Sequence, residues 1–102
     1  MTVFTPHSLE CFERELGATL AEFERGLQKA APGAVSLLGA GLFFLQCGNV
    51  ELRMTAQPHP PRRIGLFEIP VLKVTYRFSG GDDAERLALL GRLDRAMQRG
   101  GG

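Results

Sequence analysis

From Leu72 to Phe78 apolar and polar side chains alternate without a break: Leu72, Val74, Tyr76 and Phe78 take one face, Lys73, Thr75 and Arg77 the other. That period of two is what a strand with one buried side requires. Upstream, Leu9, Phe12, Leu16, Leu20, Phe23 and Leu27 recur every third or fourth residue. This spacing predicts an amphipathic helix from about Ser8 to Ala31. Thr5 or Ser8 would cap it, Pro32-Gly33 would stop it, and Cys11, Arg14, Arg25 and Lys29 would lie away from its apolar stripe.

Three short apolar runs follow, at Ala34 to Leu38, Leu42 to Cys47 and Val50 to Ala56. Gly48-Asn49 between the last two suits a two-residue type II′ turn, with glycine at the position that needs a positive φ. Such a turn sets Cys47 opposite Val50, Leu45 opposite Leu52 and Phe43 opposite Met54, all on one apolar face. The reverse face then carries Leu42, Phe44, Gln46, Glu51, Arg53 and Thr55.

Pro58, Pro60 and Pro61 remove backbone donors, so Gln57 to Arg63 is predicted to be a basic surface loop rather than a central strand. Pro70 implies an edge or a bulge, which would let Phe67 and Ile69 join the core side of Leu72. Asp82 and Glu85 form a carboxylate variant of the capping box, opening a helix to about Gln98 whose buried side would be Leu87, Leu90, Leu93 and Met97.

These elements predict a single α+β domain over residues 1–102, with 99–102 as a loose tail. It would be a two-layer sandwich in which an antiparallel meander of four to five strands is flanked in sequence by an N-terminal and a C-terminal helix, both on one sheet face. A chain of 102 residues with 44% apolar and 23% charged side chains can close one core without a metal or disulfide staple.

Net charge is +1, which gives no general pull towards polyanions. The charge is unevenly spread, however. Residues 1–51 hold three basic against six acidic side chains (net −3), and residues 52–102 hold nine against five (net +4). Two cysteines and no signal-like start suggest a reducing cytoplasm. The stretch from Ala30 to Val50 has no charge, but its glycines, Pro32, Ser36 and Gln46 fit turns and a sheet face better than lipid, so no membrane association is expected.

Little in the chain points to chemistry. His7, Cys11, Cys47 and His59 are the only histidines and cysteines, and the predicted elements keep them apart, so neither a metal site nor a thiol nucleophile with its base is expected. Asp94 falls on the edge of its helix's apolar stripe, where an acid either pairs with a neighbouring arginine or lines a pocket. Such a pocket, between helices and sheet, would be lined by Phe12, Phe23, Tyr76 and Asp94 and would suit a small apolar-ligand carrier or an enzyme. The terminal Arg99-Gly100-Gly101-Gly102 resembles the diglycine tail of ubiquitin-like sulfur carriers over four residues, but a helix rather than a strand precedes it, and helix termination accounts for the glycines. Neither catalytic residues nor a cofactor are implied.

The uncovered sheet face is the stronger candidate. Leu42, Phe44, Arg53, Lys73 and Arg77 would share it, and Arg62 and Arg63 would extend it. An apolar spot among cations suits a protein partner or a second copy of the chain, making the domain a non-catalytic binding or adaptor module. The alternative is single-stranded nucleic acid, held by stacking and phosphate pairing.

Overall fold

The computed structural model describes residues 10–97, and the two helix caps anticipated at Thr5 and Ser8, His7 and the glycine tail lie outside them. Seven elements follow in order: β1 (Cys11–Leu16), α1 (Leu20–Ala30), β2 (Val35–Gly39), β3 (Leu42–Cys47), β4 (Val50–Ile64), β5 (Phe67–Ser79) and α2 (Asp83–Met97). The strands form one antiparallel sheet in the order β1-β5-β4-β3-β2. Phe23 and Leu27 of α1 and Leu89, Leu90 and Leu93 of α2 enter the same buried cluster as Leu72, Val74 and Tyr76. Both helices therefore cover one face of an α+β sandwich, and no described element covers the other.

The middle of the chain folds as its pattern dictates. Gly48 has a φ of 59°, and the turn it permits pairs Cys47 with Val50, Leu45 with Leu52 and Phe43 with Met54. Phe43, Leu45, Val50, Leu52 and Met54 are buried, with Cys47 packed at the margin. The uncharged stretch expected to avoid lipid becomes β2, β3 and their turns, and no described helix is long and apolar enough to cross a membrane.

The first predicted helix is half strand. Residues 11–16 are β1, paired with β5 from Cys11 opposite Arg77 to Leu16 opposite Leu72. Phe12, Arg14 and Leu16 turn towards the helices, while Cys11, Glu13 and Glu15 are exposed. Arginine at the middle inward position hides the alternation, and the spacing of Phe12, Leu16 and Leu20 then imitates a helix. The real helix begins after Gly17-Ala18. Thr19 caps it, its hydroxyl accepting from the Glu22 N–H while the Glu22 carboxylate accepts from the Thr19 N–H. The Arg92 guanidinium closes its far end on the Ala30 carbonyl at 2.9 Å.

The second helix opens as expected, with the Asp82 and Glu85 carboxylates accepting from each other's backbone N–H. Its buried arc is displaced, however: Leu89 is buried beside Leu90 and Leu93, and Leu87 is exposed. Leu87, Leu89, Leu90 and Leu93 offer two overlapping apolar arcs, and contact with α1 selects the second.

The stretch Gln57 to Arg63, expected as a loop, continues β4 instead. Neighbouring strands stop short of it: β3 pairs with β4 only as far as Thr55, and β1 with β5 only as far as Leu72. Beyond these points residues 57–71 form a two-stranded arm that projects from the sheet. At its centre His59 pairs with Val71 and Arg62 with Ile69, so Pro60 and Pro61 bulge opposite Pro70. The three prolines face one another where none has a donor to lose. The irregularity thus sits in β4, across from Pro70, and it does not bring Phe67 and Ile69 into the core. They remain 75% and 37% exposed, respectively.

Candidate interaction surface

Two places gather side chains capable of recognition, one on each side of the sheet. On the helix side, Arg14 lies with its guanidinium carbon 5.7 Å from the ring centroids of both Phe12 and Tyr76, and donates a 2.8 Å hydrogen bond to Asp94. Phe12 and Tyr76 stack at 4.8 Å. Asp94 is accordingly an acid paired with an arginine. Burial raises the Tyr76 phenol to about 12; the Asp94 charge adds to the rise, and Arg14 opposes it.

Of the four residues expected to line a pocket, Phe12, Tyr76 and Asp94 gather around Arg14. An open groove elsewhere, along α1 and the end of α2, includes Phe23 but none of the other three. The partly exposed Arg14–Asp94 pair contributes about 0–1 kcal/mol, so the ion pair itself adds little to stability.

On the bare side the register places side chains in rows across the strands. One row runs Cys11, Arg77, Arg53, Phe44, Ser36; the next runs Glu13, Thr75, Thr55, Leu42. Leu42, Phe44, Arg53, Lys73 and Arg77 thus share this face, as the alternation of β3, β4 and β5 requires. Arg62 and Arg63 stand on the arm beside it. Leu38 joins the group at 56% exposure, next to Leu42 at 42%. It was not singled out from sequence because the irregular pairing between Leu37 and Gly39 breaks its parity.

The cations differ in their partners. Arg62 pairs with Glu15 at 2.7 Å, Arg63 with Glu68 at 3.4 Å and Lys73 with Glu13 at 3.9 Å. Arg53 and Arg77 have no ion pair with a described residue, although they are direct cross-strand partners. Like charges directly opposite each other are unfavourable. Arg53 is steadied over the Phe44 ring, 5.7 Å from its centroid. The two arginines line an open depression together with Thr55, Gln57 and Thr75, with Leu38 and Leu42 on the β2–β3 side.

The arm supplies a second exposed apolar group. Its tip, at the Gly65-Leu66 turn, holds Ile64, Leu66 and Phe67, with Leu66 fully exposed. Sequence reasoning missed this projection because the prolines argued against any strand there. Cys11 is exposed on β1, Cys47 packs at the margin of the core, and His59 lies on the arm, so these three do not converge. Among the described residues no three histidine, cysteine or acidic side chains gather as metal ligands would.

No protein-family model matches the chain, and no curated protein resembles it significantly.

Proposed function

We propose that this is a non-catalytic protein-binding or adaptor domain that engages another polypeptide through the uncovered sheet face. The observation that carries this reading is the contrast between the two faces. One is covered by α1 and α2, while the other leaves Leu38, Leu42 and two arginines that have no ion pair with a described residue open to solvent. Apolar side chains rimmed by polar ones on an otherwise polar surface are the usual signature of a contact area. Self-association belongs to the same reading, with the apolar arm tip extending the contact area. The reading also carries a reducing cytoplasm, in keeping with two free thiols.

Panning phage-displayed random dodecapeptides on the full chain should enrich sequences whose affinity falls at least tenfold in Leu42→Asp. Enriched peptides indifferent to that change would sink the proposal. Sedimentation velocity from micromolar to near-millimolar protein should show a rising weight-average mass. A constant monomer mass would remove self-association and leave heterologous binding. The adjoining cations Arg53 and Arg77 favour one second reading, binding of single-stranded nucleic acid through its phosphates, which requires salt-sensitive retention of an oligothymidylate.

A further inference from the structure

The facing arginines identify more than a general surface. Adjacent strands lie about 4.8 Å apart, so Arg53 and Arg77 are rooted close enough for both guanidinium groups to reach one carboxylate. Two forked donors converging on a single carboxylate make a strong, oriented contact. The nearest acids do not already serve this purpose. Glu13 is paired with Lys73, and Glu51, two residues before Arg53 on the same face, is not within ion-pair distance of either arginine. Hydroxyls of Thr55 and Thr75 and the Gln57 amide line the adjoining depression, and Leu38 and Leu42 give it an apolar side.

We propose, building on the protein-binding reading above, that Arg53 and Arg77 form a clamp for a Glu or Asp side chain of the partner polypeptide, whose neighbouring apolar side chain rests on Leu38 and Leu42. The occupant is a peptide rather than a nucleic acid because Leu38 and Leu42 give the depression an aliphatic side. Phe44, the aromatic in the arginine row, already has its ring engaged by Arg53, whereas base stacking needs open rings in succession. Removing either arginine abolishes the two-pronged contact and also relieves the like-charge pair. Loss of binding is therefore expected without loss of stability, a combination typical of residues kept for function.

The random dodecapeptide library tests this when panned in parallel on the full chain and on the Arg53→Gln, Arg77→Gln double variant. The wild-type selection should enrich an acidic residue next to an aliphatic one, and the double variant should lose the acidic preference. A synthetic copy of an enriched peptide should bind each single glutamine variant at least tenfold more weakly, and should weaken as salt is raised. The thermal midpoints of the variants should equal or exceed that of wild type. Acid-poor peptides that bind wild type and double variant equally, yet fail on Leu42→Asp, would overturn the clamp and leave the protein-binding face standing. Peptides that ignore Leu42 would overturn both. Dodecathymidylate binding more tightly than every selected peptide would assign the arginines to nucleic acid, and a lowered thermal midpoint would assign them to stability; either result overturns the clamp.

Discussion

Tyr76→Ala should destabilise the domain by about 3–5 kcal/mol in urea unfolding, the range for removing a buried aromatic ring. Tyr76 is almost wholly buried, stacks on Phe12 and also lies under Arg14, so its loss opens space at the junction of β1, β5 and α2. Domains of this size are stabilised by roughly 5–15 kcal/mol in total, so the variant should sit near the edge of folding. Tyr76→Phe keeps the stacking and should cost only about 1 kcal/mol, the value of one hydrogen-bonding group.

The same residue predicts an alkaline transition. Its phenol titrates at about 12 when folded, against 10 when exposed, so between these values the folded state holds a proton that the unfolded state has released. The contribution is fully present below pH 10 and is lost as pH rises towards 12, by about 3 kcal/mol in total. Tyr76 is the only tyrosine in the chain, so phenolate absorbance reports on it alone. A midpoint near 10 in the folded protein, or an equal alkaline slope in Tyr76→Phe, would contradict this account.

The second large effect is expected at Gly41→Val. Gly41 has a φ of 74°, and a Cβ there would run into the backbone carbonyl of Ala56. Its own carbonyl accepts the Ala56 N–H at 2.7 Å, so the hairpin cannot move away without breaking that bond. Positive φ and backbone overlap together should cost about 3 kcal/mol or more, measurable as a lowered urea midpoint with an unchanged slope. Gly26→Ala provides the contrast. There the new methyl would overlap Cγ of Met97, near the root of that side chain, so the roughly 0.5–1 kcal/mol that a helical alanine gains over glycine is offset by displacing Met97. Near-neutral stability is expected for it.

These residues also show how far the sequence can be read. The stretch from Val35 to Ala56 is legible because the Gly48 turn fixes register, and register fixes which side chain faces which way. The shared face of Leu42, Phe44, Arg53 and Arg77 follows from that alone, together with the alternation of β5. β1 is not legible, because Arg14 occupies an inward position that Asp94, on a distant helix, and the Phe12 and Tyr76 rings make tolerable. The arm is hidden for a different reason. Proline forbids a strand where donors are needed, but Pro58, Pro60 and Pro61 all lie where β3 has ended, and Pro60 and Pro61 fall in the bulge where the pairing with β5 is interrupted, while Pro58 still keeps register with Leu72. That Arg62, Arg63 and Lys73 form ion pairs while Arg53 and Arg77 form none with a described residue depends on contacts between β1, β4 and β5 that no local pattern encodes.

The proline-studded ribbon also bears on how this protein behaves at high concentration. A row of vacant donors and acceptors along a strand invites other chains to add on and grow fibres. Pro58, Pro60, Pro61 and Pro70 interrupt that row along both margins of the projection, and Glu13 and Glu15 crowd the margin of β1 with charge. That leaves β2, a five-residue strand with Leu37 and Leu38 in the open and its pairing irregular beside them, as the weakest seal against polymerisation.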